Sequence, residues 1–148
     1  MESSQQTLLI EKLLTAIARR VPQYTANPED FNIGRGNVAV CLIDAEGRVY
    51  GRMFGDNKVK QREFFSVAWK KASQVWITGI ATGKYEKMVY AGEIDPDQFG
   101  IMHPEFIGWE GGQPIELAGI KLAAGFSGMR GVNDLEIVAK AVEEVAGA

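Results

Sequence analysis

The chain has 148 residues, 46% hydrophobic and 24% charged, and its 16 Lys and Arg against 19 Asp and Glu leave a net charge of −3. That length fits one domain, 1–148, able to bury a core without metal or disulfide. The slight acidity gives no electrostatic basis for general nucleic-acid or anionic-membrane binding, the lone Cys41 excludes an intrachain disulfide, and no apolar run reaches membrane-spanning length.

The first segment reads as a helix, with Ile10, Leu14, Ile17 and Val21 at helical spacing and Leu13 widening the stripe. Ser3 with Gln6 has capping-box spacing, and Pro22 predicts an end near Val21. "TANPEDFNIGRG" reads as a polar connection. "NVAVCLID" is a run of β-formers, predicting a strand buried on both faces. "DAEG" signals a turn at Gly47, and "RVYGRMF" alternates as the second strand of a hairpin.

From about Lys60 the period becomes helical, with Phe65, Ala68, Trp69, Ala72 and Trp76 on one face and Lys70 and Lys71 on another. Gly79 and Gly83 predict an end or break, and "KYEKMVYAG" a short further helix. "EIDPDQFGIMHPEFIGWEGG" reads as an irregular excursion with one short strand. "QPIEL" and "IKLAAGFSG" are predicted strands around a tight Ala118-Gly119 turn. "VNDLEIVAKAVEEVA" is a final helix with a stripe of Leu135, Val138, Ala139 and Val142, capped by Asn133 with Glu136. Helices around two hairpins argue for an α+β domain built on an antiparallel sheet.

"GFSGMRG" leads from a strand into a helix, a common setting for an anion, yet it matches neither nucleotide-loop spacing. Ser127, Gly128 and Arg130 are candidate ligand-binding residues there, with Arg130 suited to holding a carboxylate bidentately. Lys58, Lys60 and Arg62 crowd a helix start, where cations oppose the dipole and hint at an anionic partner. Tyr50, Arg52 and Phe54 share a strand face that could line a pocket or an oligomer interface. His103, the sole histidine, is a candidate general base beside Glu105, or a single axial ligand. No zinc spacing, P-loop or GxSxG occurs. One cysteine and no signal-peptide pattern fit a cytoplasmic protein.

From about Asn37 onward, "AVCLIDAEGRVYGRMFG", "SVAWKKASQV" and above all "GGQPIELAGIKLAAGFSG" resemble the GlcG/HbpS-like family, also called DUF336. The resemblance implies a sheet of about five antiparallel strands flanked by helices, a profilin- or PAS-like layout, and a homo-oligomer. Some members bind heme through a histidine of the N-terminal helical region, and "TLLIEKLLTAIARRVPQY" has none. Heme would then need His103, Tyr50 or a Met. Three functions stay open: a module binding heme or a related acidic ligand, a cofactor-independent catabolic enzyme acting on an acidic substrate, and an oligomeric accessory subunit. Exposure of Phe106 and Trp109 would favour the last.

Overall fold

The structure is a computed structural model that describes residues 2–101 and 105–147. Its elements are α1 (Ser3–Thr25), α2 (Pro28–Gly34), β1 (Val38–Asp44), β2 (Val49–Phe54), α3 (Lys58–Thr78), α4 (Thr82–Tyr90), β3 (Gly112–Leu117), β4 (Ile120–Ser127) and α5 (Gly131–Gly147). The strands form one antiparallel sheet in the order β2-β1-β4-β3, four strands rather than the expected five or so. Among the described residues the excursion after α4 contributes only a 3₁₀ turn at Pro96–Gln98, and no strand.

β1 is central and buried along its whole length, as its continuous apolar run predicts. Val38, Val40 and Leu42 face α1 and α5, packing with Ile10, Leu13, Leu14, Ile17, Ile137 and Val138. Each such side chain stabilises the fold by about 1.5–3 kcal/mol through burial. Ala39, Cys41 and Ile43 face α3, packing with Ala68, Ala72 and Val75. The sheet is therefore covered on both faces.

The α3 face is built for close approach. In the strand register, Gly51, Cys41, Gly125 and Gly112 form one row across all four strands. This trough lets α3 lie against the sheet with almost no gap: a Cβ at Gly125 would stand 2.1 Å from the Ala68 carbonyl oxygen. Small residues therefore form the sheet-facing stripe of α3, which corrects the predicted stripe. Trp69 and Trp76 are 46% and 48% exposed, because no indole fits between the trough and the helix. Lys71 and Gln74 are buried instead.

Other boundaries shift for local reasons. The α1 cap is Glu2 with Gln5, one residue earlier than expected. The helix carries Pro22 inside its last turn and continues to Thr25, whose hydroxyl donates to the Val21 carbonyl at 2.9 Å. The expected polar connection contains α2, which Asn27 caps by accepting from the Glu29 N–H. Asn133 lies inside α5 rather than capping it, and the buried α5 residues are Asp134, Ile137, Val138 and Ala141. The β3–β4 hairpin turns at Ala118 (φ 51°) and Gly119 (φ 84°), the paired positive values of a tight two-residue turn.

Candidate functional site

α3 ends at a left-handed Gly79, φ 74°, before it has covered the far end of the sheet. A cleft of about 710 Å³ remains there. Its floor is Ile43 of β1, Ala123 of β4 and Pro114 of β3, one row on the α3 face, and its wall is Val75, Trp76 and Gly79. Charge enters at Glu116 and Lys121, and Asp44 contributes its backbone. A second cleft of about 440 Å³, toward the start of α1, shares Asp44, Ala45 and Lys121 with the first.

Asp44, 1% exposed, holds this end together. Its Oδ1 accepts from the Glu46 and Arg48 N–H groups at 3.0 and 2.9 Å, closing the β1–β2 turn. Its Oδ2 accepts from Gln6 of α1 and from the Arg48 guanidinium, both at 3.0 Å. The Trp76 indole N–H donates to the Asp44 carbonyl at 2.9 Å, fixing the ring at the cleft wall. Asp44 is thus saturated, and it positions both hairpin and helix.

The other end of the sheet carries two buried carboxylates. Asp134 Oδ1 accepts from the Met129 N–H at 3.1 Å, and its Oδ2 faces the Lys71 ammonium at 3.4 Å. Lys71 also donates to the Phe126 carbonyl at 2.9 Å. Burial pushes the Asp134 carboxyl up to about 8 despite the lysine, and burial also holds Lys71 below its usual range. Asp30 accepts from the Arg130 N–H and Nε, each at 3.0 Å, and from the Asn133 amide at 2.6 Å. Burial raises the Asp30 carboxyl, but the Arg130 and Asn133 hydrogen bonds outweigh it and hold that carboxyl below the usual range.

These contacts bear on the residues singled out from the sequence. The Met129 and Arg130 N–H groups, just before α5, meet the chain's own carboxylates, and Arg130 spends its Nε and both terminal nitrogens on Asp30 and Glu29. Ser127 is buried at the end of β4, and Gly128 (φ 122°) lies against the Asn37 backbone, where a Cβ would come within 2.6 Å of the carbonyl oxygen. Arg52 stacks over Phe54, 5.4 Å from the ring centre, and the Tyr50 hydroxyl lies 3.5 Å from Asp44. Lys60 and Arg62 occupy the first turns of α3, at the end of the helix away from the cleft. Glu105 is exposed and pairs with Lys70 at 3.7 Å. His103 lies outside the described residues. Phe106 is buried and Trp109 is 68% exposed.

The structure brings together Ser127, Gly128 and Arg130 but places Lys60, Arg62, Tyr50 and Arg52 on other elements. The cleft residues Trp76, Glu116 and Lys121 were not apparent from the sequence, and only the alternation of the two hairpin strands put Glu116 and Lys121 on one face. Among the described residues no cluster of His, Cys, Asp and Glu is arranged for a metal ion, and no helix is long and apolar enough to cross a membrane.

No family model matches the chain, and no curated protein sequence matches it. Its fold is similar to that of the PduOC:heme complex, with TM-score 0.67 and 20% identity over 91% of this chain and 90% of that one. It is also similar to the Klebsiella pneumoniae protein ORFY, a DUF336 structure, with TM-score 0.67 and 15% identity over 95% and 89% of the two chains. A double mutant of Streptomyces reticuli HbpS matches with TM-score 0.54 and 18% identity over 89% and 85%. The chain therefore has the GlcG/HbpS-like DUF336 fold.

Proposed function

We propose that this chain is a small-molecule-binding domain and that its ligand occupies the cleft beyond the end of α3. The observation that carries this reading is the uncovered, mostly apolar sheet surface at that end, enclosing about 710 Å³. Pockets for organic ligands run roughly 300–1,000 Å³ and combine apolar walls with a few placed polar groups. The indole of Trp76, held by its bond to Asp44, provides a flat side for an organic body. The test uses 1-anilinonaphthalene-8-sulfonate as fluorescent probe, with Ala45→Phe, an exposed lining position, as the blocking variant. Saturable binding that weakens in Ala45→Phe, with an unchanged far-UV spectrum, supports the reading. Binding indifferent to that change overturns it.

Heme is the second reading, favoured by the heme complex among the structures of this fold. The cleft supplies no usual axial ligand for heme. The cleft lining has no histidine, methionine, cysteine or tyrosine. Cys41 is fully buried mid-strand, and burial pushes its thiol up to about 12. The Tyr50 hydroxyl donates to Asp44 Oδ2 at 3.5 Å, on the α1 side of the sheet rather than in the cleft. His103 and the exposed Met53 remain as candidate ligands, and a hemin titration of the protein against His103→Ala and Met53→Leu tests them. A stoichiometric Soret band that changes in either variant supports heme, and the absence of a specific band removes it. Self-association is supported by the half-exposed Trp69 and Trp76, and light scattering in solution tests it.

A further inference from the structure

We infer that the cleft recognises a zwitterion of the α-amino-acid type with an apolar side chain. This rests on the cleft being the ligand site. Glu116 and Lys121 are directly opposite each other on β3 and β4, and both line the cleft. Opposite charges in that register ordinarily close on one another. Here neither joins an ion pair among the described residues, although nine other pairs form. The cleft thus presents one free ammonium and one free carboxylate side by side.

Charge complementarity decides which ligand group goes where, and one further feature favours a cation in the cleft. α3 ends at the cleft, so its negative dipole end favours a cation there. Asp44 is not the anchor, because its oxygens are already taken by Gln6, Arg48 and the turn N–H groups. The ligand ammonium therefore goes to Glu116, its carboxylate to Lys121, and its apolar side chain to the floor of Ile43, Ala123 and Pro114. The apolar floor disfavours a small zwitterion with no side chain, such as glycine.

The test is titration calorimetry of the whole chain with three probes sharing one side chain: L-leucine, 4-methylpentanoate, which lacks the ammonium, and 3-methylbutylamine, which lacks the carboxylate. L-leucine is expected to bind at least about fivefold more tightly than either single-charge probe, the scale of one partly screened ion pair. Glu116→Gln should erase the preference over 4-methylpentanoate, and Lys121→Met the preference over 3-methylbutylamine. A single-charge probe binding as tightly as L-leucine overturns the inference. So does the absence of L-leucine binding while the anilinonaphthalene probe still binds in a manner sensitive to Ala45→Phe, and in that case the cleft remains a ligand site. Loss of that sensitivity as well removes the cleft reading together with this one.

Discussion

Substituting Gly125 with alanine tests how α3 is seated, and so what sets the cleft. The added Cβ would stand 2.1 Å from the Ala68 carbonyl oxygen and 2.7 Å from the Ala72 nitrogen. Ordinary contact begins at 3.4 Å, so the oxygen contact is short by 3.4 − 2.1 = 1.3 Å. Both opposing atoms are helix backbone, and no rotamer change relieves them. α3 must lift from β4, opening a gap along Ala68, Ala72 and Val75. Overpacking of this kind costs about 3 kcal/mol, while the lost freedom of the unfolded glycine returns less than about 1 kcal/mol, for a net loss of about 2 kcal/mol. Gly51 in the same row is the control. A Cβ there would meet the Phe65 ring at 2.5 Å, and a half-buried ring can swing away. Gly51→Ala should cost about 1 kcal/mol or less. Urea unfolding read by far-UV signal gives both values. A Gly125→Ala variant within about 0.5 kcal/mol of wild type, or a Gly51→Ala variant that costs more, would refute the close seating of α3.

Three further outcomes follow from the buried polar groups. The Asp134 carboxyl, raised to about 8 by burial, binds its proton more tightly folded than unfolded, so its contribution is fully present below about pH 4 and is lost as pH rises toward about 8. Asp134→Asn should flatten that fall in urea midpoints between about pH 5 and pH 7, a window chosen because the lowered Lys71 acts with opposite sign on the alkaline side; an equal slope in both proteins contradicts the assignment. Asp30 titrates the other way: held low by Arg130 and Asn133, it stabilises above about pH 4 and that stability is lost as pH falls through its folded value. Asp30→Asn should cost about 2 kcal/mol at neutral pH and remove part of the acid sensitivity; an unchanged urea midpoint at neutral pH contradicts it. The Cys41 thiol, pushed to about 12 from an ordinary 9.0, should react with a disulfide reagent at pH 8 roughly a thousandfold more slowly than in the urea-unfolded chain, and rapid native labelling would show that β1 is not buried as described.

Much of the fold was legible because its signals are local. The run Val38–Asp44 needs two apolar faces wherever it lies, and Ala118-Gly119 between alternating strands needs a tight turn. The α3 stripe was misread because its sequence carries two overlapping stripes, one with tryptophans and one with alanines. The choice between them is made by Gly51, Cys41 and Gly125 on other strands, which become a single trough only after pairing. Lys71 and Asp134 are 63 positions apart, and nothing local marks either as buried. The excess cation at "GFSGMRG" looked like an anion site because Asp30, 100 positions upstream, fills it from α2. The cleft was invisible for a similar reason: it consists of the place where α3 stops, relative to strands that arrive much later in the chain.

Amide chemical-shift mapping of the whole chain, titrated with 1-anilinonaphthalene-8-sulfonate, tests the ligand site most directly. The account predicts saturable shifts clustered at 43–46, 75–79, 114–116 and 121–123, the residues around the cleft. Shifts confined instead to the groove between α1 and α5, at Leu8, Lys12 and Val145, would contradict it.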